Sequence, residues 1–165
     1  MKKTVRIGVL VVLSIFLVLG FLVFKSLDRQ TWKVYSNSRY NFRIEFPPSW
    51  ELGAEETNNA GRVMVSKDEK IICYAYGFEN ALDQTLDELV TWLTDSDKVL
   101  GRKNTKLAGK PAVEVTTQTS EKITRKAVYT FLDDGSGRGF FCAYLDGEML
   151  ETHSKDFNRM RSSFE

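Results

Sequence analysis

The chain has 165 residues, of which 42% are hydrophobic and 12% aromatic, and its 23 Lys and Arg residues nearly balance 22 Asp and Glu residues. This length supports one substantial folded domain, and the apolar content excludes a wholly disordered chain. The near-neutral charge argues against a nucleic-acid-binding protein, because such proteins present a basic face to the phosphate backbone.

The first predicted element is an apolar run over Ile7–Phe24 that contains no charged residue. Its eighteen residues would span roughly 27 Å as a helix, close to the hydrocarbon thickness of a bilayer. Most of them are Leu, Ile, Val or Phe, and together they favour insertion by about 5 kcal/mol. The run therefore predicts a single transmembrane helix with its ends at Ile7 and Phe24.

This helix is predicted to remain in place as a signal anchor. A cleaved secretory signal needs small residues at its cleavage site, whereas the run ends in Leu22, Val23, Phe24 and Lys25. A cleaved signal stays open as the less favoured alternative. Basic residues and no acids precede the run, which favours a cytoplasmic N-terminus. The expected location is the cytoplasmic membrane of a prokaryote, with the C-terminal part facing outside.

Three parts are predicted along the chain: a cytoplasmic tip and anchor at 1–25, a linker at 26–38 and one extracytoplasmic domain at 39–165. From Lys25 onward the chain carries 20 basic and 22 acidic residues, a net charge of about −2. This balance provides no large field for steering a strongly charged ligand.

The domain opens with the sequence YNFRIEFPPSW at residues 40–50. Phe42, Ile44 and Phe46 alternate with charged residues, a pattern that predicts a strand with one buried face. Two prolines, Pro47 and Pro48, then end the strand because they donate no backbone hydrogen bonds.

This opening resembles that of the PsbP-like family, in which a Tyr is followed by F-x-I-x-[FY]-P-x-x-W. The matching residues here are Tyr40, Phe42, Ile44, Phe46, Pro47 and Trp50. The resemblance implies an α/β/α sandwich, with an antiparallel sheet packed between helices. The family's residues at these positions are structural, so the resemblance implies a fold and no active site. Some relatives of PsbP bind divalent ions, but no ligand residue maps onto this sequence.

The remaining elements are predicted from periodicity and turn residues. Two strands, Val63–Ser66 and Ile71–Phe78, form a hairpin, and a helix over Leu82–Asp95 follows. Thr85 and Glu88 make a capping box in that helix, whose apolar stripe indicates core packing. The later segments are the strands Val99–Leu107, Ala112–Thr119, Ile123–Leu132 and Arg138–Leu145 and the helix His153–Phe164. This order predicts an α+β domain with an antiparallel sheet.

No catalytic set is visible in the sequence. His153 is the one histidine, so any His-dependent nucleophile would need it. It shares a helical stripe with Phe157 and Met160, which favours a structural role. Two cysteines and one histidine are also poor material for a zinc site. We therefore predict that the protein is not an enzyme, with no catalytic, cofactor-binding or metal-binding residue and no cofactor.

The two cysteines, Cys73 and Cys142, both lie in predicted central strands. Outside the cytoplasm such a pair can oxidise to a disulfide, and they are the candidate pair. The alternative, two buried thiols that act as small hydrophobic side chains, is equally favoured by the sequence.

These features favour a membrane-anchored, extracytoplasmic, PsbP-like module that is non-catalytic and assembles or stabilises a membrane or envelope complex. Its expected partners are the membrane and a protein within it or within the envelope, and not nucleic acid. The alternative is a small-ligand or metal-ion binding module tethered to the membrane. A pocket lined by Tyr74, Tyr76 or Trp92 would favour a ligand, and an exposed apolar patch would favour a protein partner.

Overall fold

A computed structural model of the chain describes residues 31–54 and 58–165. The predicted transmembrane run Ile7–Phe24 lies outside these ranges. Within them, no helix combines the length and the apolar character that crossing a membrane requires.

A two-stranded antiparallel ribbon opens the domain, formed by β1 (Lys33–Asn37) and β2 (Phe42–Phe46). The second strand confirms the predicted alternation, since Phe42, Ile44 and Phe46 are all buried. The first strand lies in the stretch predicted as a linker. Its sequence, KVYSN, is short and polar, and it is a strand here because it pairs along the whole length of β2.

The main sheet has seven strands and is antiparallel throughout. Its strands are β3 (Glu51–Leu52), β4 (Gly61–Val65), β5 (Ile71–Glu79), β6 (Lys98–Leu107), β7 (Lys110–Gln118), β8 (Thr124–Phe131) and β9 (Ser136–Tyr144). Their spatial order is β3-β4-β5-β9-β8-β7-β6. The predicted β4–β5 hairpin, the four later strands and the antiparallel sheet are therefore confirmed. The pairing of β5 with β9 joins the two halves of the sheet in its middle.

One face of the sheet is covered by the ribbon and by the C-terminal helix α3 (Ser154–Ser163), which follows the short helix α2 (Gly147–Thr152). Phe157 of α3 stacks on Phe140 of the sheet with ring centroids 4.7 Å apart. Phe164 stacks on Phe42 of the ribbon at 5.0 Å. The helix predicted over 153–164 is thus present, and α2, capped by the side chain of Asp146, is an addition that periodicity did not indicate.

The other face is covered by α1 (Leu86–Leu93), whose Leu89 and Val90 pack on β7 and β8. The capping box of Thr85 and Glu88 is confirmed. The predicted start at Leu82 is wrong, because the side chain of Asn80 binds both the backbone N–H and the C=O of Gln84 and holds a turn there. Helices therefore lie on both faces of the sheet, as the α/β/α sandwich implied by the resemblance to the PsbP-like family requires.

Candidate functional site

The two cysteines lie directly opposite each other on the inner strands β5 and β9. The Cα atoms of Cys73 and Cys142 are 4.0 Å apart, both side chains are buried, and the structure joins them as a disulfide. They belong to the core under α3, together with Phe140 and Tyr144. The pair thus has a structural position and is not part of a reactive surface.

His153 lies at the junction of α2 and α3 and not in a cleft with a nucleophile. Its Nδ1 atom is 3.0 Å from Oδ2 of Asp156, the side-chain partner that the structure shows for this ring. Phe157 and Met160, the neighbours on its predicted stripe, are buried. The arrangement links the start of α3 to its first turn, a local structural contact.

Among the described residues, the carboxyl groups whose pKa departs from the ordinary value have a lowered pKa. A general acid needs a raised one. Hydrogen bonds from neighbouring residues lower the pKa of Asp68, Glu88 and Asp134. Burial raises the pKa of Glu114, but Lys103 and Lys126 outweigh it and the net shift is downward. Across residues 31–54 and 58–165, no three His, Cys, Asp or Glu side chains are grouped to hold a metal ion. Ionised carboxylates in contact with donors serve as structural groups here.

One concave surface with a largely apolar lining is a groove between the end of β5 and α1, which we call the α1 groove. It encloses about 350 Å³. The large apolar side chains of its lining are Tyr76, Phe78, Leu82, Leu89, Trp92 and Leu93. Leu82 is 78% exposed and Trp92 is 67% exposed, so that the groove is open along this side. The apolar stripe of this helix predicts core packing, and two of the three residues named for a possible ligand pocket, Tyr76 and Trp92, line this groove.

The α1 groove has an aromatic floor that depends on glycines in the neighbouring strand. The rings of Tyr76 and Phe78 lie 5.7 Å apart along β5. A Cβ atom at Gly137, directly opposite Phe78, would overlap the Phe78 ring. Burial, followed by the neighbouring Tyr129, raises the pKa of Tyr76 well above its ordinary value of 10.0. Tyr76 therefore stays a neutral phenol and is unsuited to act as a base.

The chain segment that forms most of the α1 groove is acidic, and Glu79 lies in the lining of the groove itself. Residues 79–97 contain six acids and no basic residue. Arg102 pairs with Asp87, and Arg125 pairs with Asp97 at 3.5 Å. The other four acids of this segment make no ion pair with a described residue: they are Glu79, Asp83, Glu88 and Asp95. The site thus combines an apolar groove with an acidic chain segment, which suits a ligand that is apolar in its middle and basic at its ends.

Comparison with known proteins identifies the type of fold. No protein-family model matches the sequence, and no curated protein is significantly similar to it. Among solved structures, the domain is similar to the solution structure of cyanobacterial PsbP (CyanoP) from Synechocystis sp. PCC 6803, with 13% identity, a TM-score of 0.61, and coverage of 81% of this chain and 91% of that one. It is also similar to LpqN of Mycobacterium tuberculosis, a protein involved in cell envelope biogenesis, with 13% identity, a TM-score of 0.50, and coverage of 82% and 85%. The domain therefore has a PsbP-like fold.

Proposed function

We propose that this protein is a membrane-anchored, extracytoplasmic and non-catalytic module that assembles or stabilises an envelope complex. The α1 groove is the observation that carries the proposal, because it exposes two large apolar side chains, Leu82 and Trp92, beside an apolar floor. The involvement of LpqN in envelope biogenesis is compatible with such a role. The apolar run Ile7–Phe24 would hold the module at the membrane.

The partner is an apolar segment with Lys or Arg at its ends, in a membrane or envelope protein. The groove supplies the apolar contact, and Trp92 is the kind of side chain that dominates the binding energy of protein interfaces. The unpaired acids of residues 79–97 then attract the basic ends of the segment. Segments of this composition occur where transmembrane helices leave the bilayer.

Site-specific photocrosslinking in cells tests this proposal with the full-length chain. A photoreactive residue at Trp92 is expected to give one discrete adduct, and the crosslinked peptide should be apolar with basic flanks. The matched control is Leu145, which is also exposed but lies beside Lys70, at the other end of β5. The same adduct from both positions, or no adduct from Trp92, would refute the proposed surface.

A second variant tests the anchor separately. Replacing Met1 to Lys25 by a cleavable signal releases the domain from the membrane if the anchor prediction is right. The adduct at Trp92 should then form less efficiently, since the local concentration of a membrane partner is lost. An adduct of unchanged yield would show that the anchor does not serve the interaction.

A small apolar ligand is the alternative occupant. The groove contains Tyr76 and Trp92, two of the residues named for that outcome, and its volume of about 350 Å³ lies at the lower end of ligand pockets. This alternative is favoured over a protein partner if purified full-length protein carries an apolar small molecule and the Trp92→Ala variant does not.

A further inference from the structure

We propose that a second cleft, on the α3 side of the sheet, binds an oxyanion, a phosphate or carboxylate group, through Arg138 and Lys106. This cleft, which we call the turn-end cleft, encloses about 730 Å³. It lies where the β6–β7 and β8–β9 turns meet the end of α3. The α1 groove belongs to the opposite face, so this inference does not rest on the proposed function.

Arg138 is the main cation of the turn-end cleft. Its residue is 9% exposed, and its side chain lies on the same face of β9 as Phe140 and Cys142, the face covered by α3. One Nη atom donates to the backbone oxygen of Asn41 at 2.9 Å, whereas the buried Nε–H has no hydrogen-bond partner. A buried guanidinium normally meets a carboxylate, because burying an unpaired charge is costly. Burial accordingly lowers the pKa of Arg138.

The acids near Arg138 are already occupied. Asp134 accepts hydrogen bonds from the backbone N–H and the hydroxyl of Ser136, at 2.9 and 2.7 Å, within its own turn. Asp133 pairs with Lys110 at 2.5 Å. Glu165 lies 3.8 Å from Arg43 and is also held by backbone hydrogen bonds to that residue. The charge of Asp134 acts on Arg138, but no described carboxylate forms an ion pair with this guanidinium, which leaves it able to bind a ligand.

The other cations of the cleft add to the positive charge of Arg138. Lys106 is exposed on β6 and makes no ion pair with any residue in the described ranges. Arg161 pairs with Glu114 at 2.7 Å, but the same carboxylate also meets Lys103 at 3.1 Å and Lys126 at 3.2 Å. Three cations therefore share one acid beside the cleft, so the local charge is positive although the domain as a whole is slightly acidic.

These features define the chemistry of the ligand. A guanidinium donates charge-assisted hydrogen bonds to a phosphate or a carboxylate, and a lysine adds a second positive charge. The wall of the cleft also includes Leu132, which is partly exposed and would contact an apolar or aliphatic group attached to the oxyanion. Two sources supply this chemistry: a free small phosphorylated or carboxylated molecule, and the phosphate of a lipid headgroup.

The test is a titration of the full-length chain with inorganic phosphate and, in parallel, with acetate, followed by isothermal calorimetry at fixed ionic strength. Arg138→Gln should weaken binding about tenfold or more, because it removes hydrogen bonds to a charged group. The matched control is Arg62→Gln, which removes a cation whose Nε donates to the backbone oxygen of Gly53 at 3.0 Å. Equal losses in both variants, or no binding of either anion, would overturn the proposal.

A second variant guards against unfolding of Arg138→Gln. Lys106 is exposed, and Lys106→Ala should weaken phosphate binding by about threefold without lowering the melting temperature. Unchanged affinity in Lys106→Ala would remove that residue from the site and contradict the proposal as stated.

Reconstitution distinguishes the two sources. The chain is placed in phosphatidylcholine nanodiscs with or without phosphatidylglycerol, and inorganic phosphate is titrated into each. Competition by an anionic lipid that occupies the cleft weakens phosphate binding only in the phosphatidylglycerol discs. Equal affinities in both discs support a free ligand.

Discussion

The buried carboxylate of Glu114 provides the sharpest test of what holds the domain together. Its oxygens lie 3.1 Å from Lys103, 3.2 Å from Lys126 and 2.7 Å from Arg161. One side chain of β7 thus ties together β6, β8 and α3. Glu114→Gln keeps the volume but removes the charge, which leaves three cations facing each other.

The magnitude follows from burial. Removing one partner of a buried ion pair costs about 3–5 kcal/mol in the free energy of unfolding. The side chain of Lys103 is 62% exposed and can turn to water, so we expect the lower end, about 3 kcal/mol. The matched control is Glu45→Gln, which breaks a surface pair with Arg159 at 3.2 Å and should cost at most about 1 kcal/mol.

Urea unfolding of the full chain in mild detergent, monitored by tryptophan fluorescence, measures both variants. Because the pKa of Glu114 lies below its ordinary value of 4.5, its contribution to stability is present above that value and is lost as the pH falls through the lowered pKa. The difference between the wild type and Glu114→Gln should therefore be full near neutral pH and shrink on acidification. Equal costs for Glu114→Gln and Glu45→Gln, or a difference that grows in acid, would refute the reasoning.

Three further predictions concern stability and use the same unfolding assay. Replacing both Cys73 and Cys142 by alanine should cost about 4 kcal/mol, because the bond closes a loop between residues 69 positions apart; a cost near zero would contradict a disulfide in the native protein. Gly137→Ala should cost about 1–3 kcal/mol because its Cβ would overlap the aromatic ring of Phe78. Gly101→Ala is the control, since its Cβ meets open space, and it should change stability by less than about 0.5 kcal/mol. Equal effects of the two substitutions would count against the packing described. Thr85→Ala should cost about 1 kcal/mol through loss of the helix cap, and an unchanged unfolding midpoint would show that the cap is not stabilising.

Short-range patterns predicted most of the secondary structure. The alternation around Ile44 and the capping box at Thr85 are local signals, and each corresponds to an element of the structure. The strand β1 and the true start of α1 were missed for a related reason. The strand is polar and forms through its pairing with β2, and the start of the helix is set by a side chain of the preceding loop, Asn80.

The candidate sites were much harder to predict than the fold. Trp92 was placed correctly in a helix, but its exposure depends on how that helix lies across β7 and β8. Arg138 was placed in a strand without a role, since its burial and its unpartnered Nε arise from the ribbon, the β8–β9 turn and the end of α3 meeting around it. The sequence around Arg138 does not reveal its contacts with three segments that are remote along the chain.

By itself, the sequence determined the α+β class, the order of most strands and helices, and the expectation of an anchor at Ile7–Phe24. These depend on composition and periodicity over short windows, which express local backbone preference and the burial of one face. Only the tertiary structure decided whether the two cysteines meet, which acids remain unpaired and where clefts form. Those properties depend on the distance between residues remote in sequence, such as Cys73 and Cys142, and that distance is set by strand order and register.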